Sequence, residues 1–153
     1  MVWAGTPKTR ETFQAFWTGF LAELRLDDAS SPIRQPSRST NQYFYLPRGT
    51  NGWVSAYISQ SVGQRGVYLT FERGGSADRL YVALFAEKDA IDKELTIPVE
   101  WESNDGKYMI IARRPYPGKI LNEHRSDAKT WLADRVNRFV TVFATSLISY
   151  RPG

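Results

Sequence analysis

The stretch 66-GVYLTFERGGSADRLYVALF-85 decides how the chain folds. In its first half Val67, Leu69 and Phe71 fall on one face and Tyr68, Thr70 and Glu72 on the other, the period-two pattern of a strand with one buried side. In its second half Leu80, Ala83 and Leu84 recur at helical spacing. Between them stand Gly74, Gly75 and Ser76, so the unit reads as strand, glycine turn, helix. A phosphate-binding loop in this place needs G-x-x-x-x-G-K-[ST] or G-x-G-x-x-G. This turn has neither a third glycine nor a following lysine. It reads as a chain reversal in which at least one glycine takes a positive φ. Ser76 fits as the helix cap, and Asp78 places a negative charge near the positive end of the helix dipole.

Upstream, 42-QYFYL-46 and 53-WVSAYISQ-60 have strand composition, and 47-PRGTNG-52 between them reads as a hairpin loop. In the second of these strands Val54, Ala56 and Ile58 face one way, and Trp53, Ser55, Tyr57 and Ser59 the other. The turn 61-SVGQRG-66 then leads into the strand 67–73. Further back, Phe13, Phe16, Trp17, Phe20, Leu21 and Leu24 mark a helix that starts near Thr9 and ends near Asp27-Asp28. Residues 1–8 read as a flexible arm, and 30-SSPIRQPSRSTNQ-42 as a loop. Downstream, a helical stripe continues from Ala77 to Leu95, interrupted at Glu87 and Lys88, and Pro98 stops it. The strands 98-PVEWES-103 and 107-KYMIIAR-113 form a hairpin over an Asp105-Gly106 turn. After a proline-bearing loop, Trp131, Leu132, Val136, Phe139, Val142, Phe143 and Leu147 stripe a last helix from about Asp127 to Tyr150. The order αβββαββα predicts a single two-layer α+β domain over residues 1–153. Its sheet has five strands, mostly antiparallel and twisted, with helices on one face.

The 153-residue length suits one core. There is no cysteine and one histidine, which excludes a disulfide scaffold and Cys-ligated zinc or iron–sulfur sites. No stretch of about 18 apolar residues is present, and Met1 to Gly5 lacks the pattern of a signal peptide. A cytoplasmic protein without cofactor or metal is expected.

The net charge of +4 is modest, but its distribution is uneven. From Ala29 to Phe71 the chain carries Arg34, Arg38, Arg48 and Arg65 and no acid. From Gly106 to Arg125 it carries Lys107, Arg113, Arg114, Lys119 and Arg125 against Glu123 alone. The acids gather in 87-EKDAIDKE-94 and 100-EWESND-105. Segregation of this kind presents a positive face to a polyanion. Tyr43, Tyr45, Trp53, Tyr57 and Tyr68 lie on strands inside the acid-free region. Aromatic rings on a sheet can stack on unpaired bases while arginines hold phosphates. The same rings can equally cover a sheet face or pack on a partner subunit. The candidate nucleic-acid contacts are Arg34, Arg38, Tyr43, Tyr45, Arg48, Trp53, Tyr57, Arg65, Arg113 and Arg114.

Catalytic patterns are weaker. His124 stands in a Pro/Gly loop without a G-x-S-x-G elbow elsewhere and reads as a solvated loop residue. A nuclease of the PD-(D/E)XK kind needs two acids and a lysine converging on a metal. Glu100 and Glu102 share one strand face with Trp101 on the other, Lys107 lies across the hairpin, and Glu72 is followed by Arg73. The pieces exist without the spacing, so no catalytic residue is assigned.

Several local features carry a family resemblance. They are Phe16-Trp17-x-x-Phe20 on the first helix, the Gly-x-Tyr-Leu-x-Phe strand, 84-LFAEKDAIDKEL-95, Val99-Glu100-Trp101, the basic strand after it, and Trp131 in the last helix. From Phe13 to Leu147 the chain resembles the bacterial family known as domain of unknown function 4268. Members of that family occur alone or downstream of restriction-endonuclease-like modules. The resemblance therefore implies work near nucleic acid, in restriction or defence. The expected function is a non-catalytic nucleic-acid-binding or accessory domain of a bacterial or phage system of that type, with DNA as the first partner to test. The alternatives are a protein-interaction module that homodimerises, and a divergent metal-dependent nuclease.

Overall fold

Alternation along the central strands builds the core. On β2 (Gly52–Ser59), Val54, Ala56 and Ile58 are fully buried on one side. On β3 (Gln64–Phe71), Val67, Leu69 and Phe71 repeat the pattern, with Val54 opposite Leu69 and Ala56 opposite Val67. β1 (Asn41–Tyr45) adds Phe44 beside Val54. β5 (Lys107–Pro115) runs antiparallel to β3 and sets Ile110 and Ala112 against Leu69 and Val67. β4 (Glu100–Asn104) closes the far edge with Trp101 opposite Ile110. The sheet order is β1-β2-β3-β5-β4, and every pair is antiparallel. The computed structural model describes residues 7–27, 33–46, 52–59, 63–74, 77–115 and 125–149.

Among the described residues four helices cover one side of this sheet: α1 (Pro7–Glu23), α2 (Ala77–Ala86), α3 (Lys88–Leu95) and α4 (Arg125–Ser149). Phe13, Phe16, Trp17 and Phe20 of α1 are buried, as are Leu132, Val136, Phe139, Val140 and Phe143 of α4. Phe20 meets Phe44 edge-on, and the Trp17 indole donates to the Ser39 carbonyl at 2.8 Å. These contacts join α1 to the sheet and to the segment before β1. Each large aromatic removed from water contributes roughly 1.5–3 kcal/mol, and the strand and helix residues share one apolar cluster. The observed α+β architecture and element order are those the sequence patterns predict.

The differences are local and have physical causes. α1 begins at Pro7, so Pro7 and Lys8 belong to the helix; proline suits a first turn, where its missing N–H is not needed. The helical stretch after β3 is two helices. α2 buries Leu80, Tyr81 and Leu84, and α3 buries Ile91 and Leu95. The next stripe positions, Glu87 and Lys88, are charged, so the chain breaks at Glu87 and re-aims. Gly74 has φ +99°, and the Ala77 amide donates to its carbonyl at 3.0 Å. That is the positive φ expected of the glycine turn. Gly75 and the expected cap Ser76 lie outside the described residues, as do His124, the 47–51 loop and residues 1–6 of the arm. Asp105 and Gly106, at φ 55° and 79°, form the tight hairpin turn expected from Asp-Gly.

The consequential difference is at β3. It starts at Gln64 rather than after a turn ending at Gly66. Gly66 reads as a turn residue, yet a Cβ there would stand 2.5 Å from the Tyr57 ring. The glycine marks close approach of a ring to the strand, not a reversal. Arg65 then takes the face of Val67 and Leu69.

Candidate functional site

The sheet face turned away from the helices collects the predicted aromatics into rows. Tyr45, Trp53, Thr70, Met109 and Glu102 lie side by side across the five strands. Next to them run Tyr43, Ser55, Tyr68, Ile111 and Glu100, then Asn41, Tyr57, Gly66 and Arg113. Tyr43 and Tyr45 are each 40 % exposed, whereas Ser55 and Thr70 beside them are buried. Small residues sit low while rings lie over them.

The rings touch in two groups. Tyr43 and Tyr45 centroids are 6.3 Å apart, Tyr45 and Trp53 6.1 Å, and Tyr57 and Tyr68 5.8 Å, within the range of favourable aromatic pairs. Polar groups beneath are satisfied: the Asn41 amide donates to the Ser55 hydroxyl at 2.9 Å and to the Tyr68 hydroxyl at 3.3 Å, and the Gln64 amide donates to the Tyr57 hydroxyl. Burial raises the Tyr43 and Tyr57 phenols above their usual range, with Gln64 opposing at Tyr57. Both are therefore neutral at physiological pH.

The arginines separate. The Arg34 guanidinium lies 4.8 Å from the Tyr45 ring centroid, a cation–π contact at the β1 side. Gln42 fixes the segment that carries it, accepting from the Ser37 amide at 2.7 Å and donating to the Gln35 carbonyl at 3.1 Å. Arg38 is exposed in the same segment. Arg113 is on the aromatic face, but its Nε lies 2.7 Å from Glu100 and its Nη bonds Glu102. Its charge is thus balanced by the two acids considered for a nuclease. Arg114 falls on the opposite face by register. Arg65 is the correction: expected as a surface cation, it is 2 % exposed on the helix side, 3.6 Å from Asp127. Arg48 lies outside the described residues. A shallow hollow of about 240 Å³ lined by Pro98, Val99, Glu100, Ile111 and Arg113 borders the acidic end of the face.

The Arg113 clamp was missed in the sequence although its signal is there. Counting register outward from the Asp105-Gly106 turn puts Arg113 on the same face as Glu100 and Glu102. The Arg34–Tyr45 contact has no such signal, because it joins an irregular segment to a strand. Among the described residues no group of three His, Asp or Glu side chains could hold a metal ion, and no helix is long and apolar enough to cross a membrane.

The profile of the family described as "Domain of unknown function (DUF4268)" matches residues 13–147. No curated protein matches the chain. Among solved structures, a chain of the "Crystal Structure of the ExsC-ExsE Complex" aligns over 89% of this chain and 93% of its own length, at 13% identity and TM-score 0.30. A likeness of that size carries no argument.

Proposed function

The chain belongs to the DUF4268 family, and from that premise we propose that its open sheet face binds single-stranded nucleic acid without catalysis. One observation carries this reading: Tyr43, Tyr45, Trp53, Tyr57 and Tyr68 share one face in adjacent rows, with Arg34 against Tyr45, in the half of the sheet that has no acid. Unpaired bases stack on such rings whatever their identity, at about 1–3 kcal/mol each. Arg34 and Arg38 hold the phosphates alongside. The acids Glu100 and Glu102 stand two strands away and are engaged by Arg113. The protein works in the cytoplasm as an accessory of a bacterial or phage restriction or defence system, with DNA as its nucleic-acid partner.

The test is fluorescence anisotropy with single-stranded and duplex DNA of equal length at about 50 and 200 mM salt. Tighter binding to the single strand, weakening with salt, is expected. Absence of binding at low salt sinks the proposal.

A second reading has its own observation. The face is positive at its β1 side, at Arg34, and acidic at β4, at Glu100 and Glu102. A two-fold axis along the strands sets Arg34 of one copy against Glu102 of another, so the face is self-complementary. Sedimentation separates the two readings. A dimer that dissociates on Glu102→Lys, together with no affinity for DNA, favours the interaction module.

A further inference from the structure

α2 turns one face to the sheet and leaves the other in water. Leu80, Tyr81 and Leu84 are buried, while Val82 is 67% exposed and Phe85 48%. Ala86, also exposed, stands four residues after Val82. Residues three and four apart are neighbours on a helix surface, so Val82, Phe85 and Ala86 form one apolar stripe. Phe85 is held in place within it. Its ring meets Trp101 edge-on at 5.7 Å and lies 5.8 Å from Tyr81. Tyr81 stacks on Tyr108 at 4.5 Å, and the Trp101 indole donates to Asp92 at 2.8 Å. A side chain fixed in this way loses little freedom when another surface covers it.

The two ends of the stripe carry opposite charge. Arg79 stands three residues before Val82, and Glu87 and Asp89 follow the end of α2. All three are exposed, and none makes an ion pair among the described residues. Glu87 occupies the N-cap position of α3 without a side-chain cap hydrogen bond. A partner of one charge sign would be attracted at one end of the stripe and repelled at the other. The same stripe run in the opposite direction matches both ends.

We propose that α2 is a contact between two copies of this chain, packed antiparallel about a two-fold axis near the middle of the stripe. In that pairing Val82 of each copy covers Phe85 and Ala86 of the other, and Arg79 of each meets Glu87 and Asp89 of the other. The two-fold makes every contact occur twice. α2 has ten residues and is about 15 Å long, so the interface is small and the dimer depends on concentration. α2 packs on Tyr108, which shares the Ile110 face of β5 by alternation. Both open sheet faces therefore stay free, and the inference depends neither on nucleic-acid binding nor on a dimer through the open face.

The experiment is sedimentation velocity on the full chain from about 10 to about 500 µM, the range in which a weak dimer assembles. A reversible monomer–dimer equilibrium is expected. Val82→Gln should weaken it about tenfold or more, because this position is central to a small apolar contact; at two-thirds exposure the change leaves the core untouched. Arg79→Glu should weaken it at least as much, since the two-fold turns two attractions into two repulsions. Adding Glu87→Arg and Asp89→Arg to Arg79→Glu should restore association, with folding checked by circular dichroism. Glu102→Lys, on the open face, should leave it unchanged. A chain that is monomeric throughout overturns the proposal, as does a dimer insensitive to Val82→Gln and Arg79→Glu, or a folded triple variant that associates no better than Arg79→Glu alone.

Discussion

The two faces of the same five strands obey different rules. On the helix side, side-chain size is constrained by packing: Val54, Leu69 and Ile110 are fully buried in one line across the sheet. On the other side the same strands alternate small residues with rings, so that Ser55, Gly66 and Thr70 give room to Tyr43, Tyr57 and Trp53. The first face is closed by helices. Among the described residues no helix packs on the second, and Tyr43 and Tyr45 keep ring surface exposed there. A helix-side residue therefore reports on stability, and an exposed ring of the open face reports first on the proposed binding.

The largest effect is expected where the first rule is broken. Leu69→Ala empties a fully buried position and should cost about 2–5 kcal/mol. Tyr43→Ala, on the same sheet but 40 % exposed, should cost under about 1 kcal/mol. Urea denaturation of the two variants measures the contrast, and similar losses would erase it.

Gly66→Ala should come next, at about 1–3 kcal/mol, because the added carbon meets the Tyr57 ring and the ring must move. Adding Tyr57→Ala should remove most of that penalty, a coupling that a double-mutant cycle measures directly. Additive losses would show that Gly66 is required for some other reason.

The smallest stability effect belongs to the acidic end of the open face. Glu100→Gln with Glu102→Gln breaks exposed ion pairs, so unfolding free energy should change by less than about 1 kcal/mol. Binding to a single strand should nonetheless strengthen about threefold or more at low salt, because Arg113 is freed and two negative charges are gone. Unchanged affinity would exclude this end of the sheet from the interface.

The split between the faces was legible in part. Alternation in 53-WVSAYISQ-60 and 67-VYLTFER-73 sorts buried from open residues, because a strand has a period of two whatever surrounds it. The Asp-Gly turn fixed the register of β4 and β5, and with it the placement of Arg113. Arg65 was not legible. Its neighbour Gly66 serves a ring on the adjacent strand, and that long-range need looks locally like a turn. The acid-free region therefore appeared as one basic surface, whereas the fold sends Arg65 to one side of the sheet and keeps Arg34 beside Tyr45 on the other. Linear charge density carries no information about faces.

The most direct test of the open face as the interface is an NMR titration of the chain with a single-stranded oligonucleotide lacking terminal phosphates. The account predicts that the Trp53 indole and the amides of Tyr43, Tyr45, Ser55 and Tyr68 shift together, while Leu69, Ile110 and the buried residues of α4 stay in place. Shifts concentrated on α4, or none at saturating DNA and low salt, would contradict it.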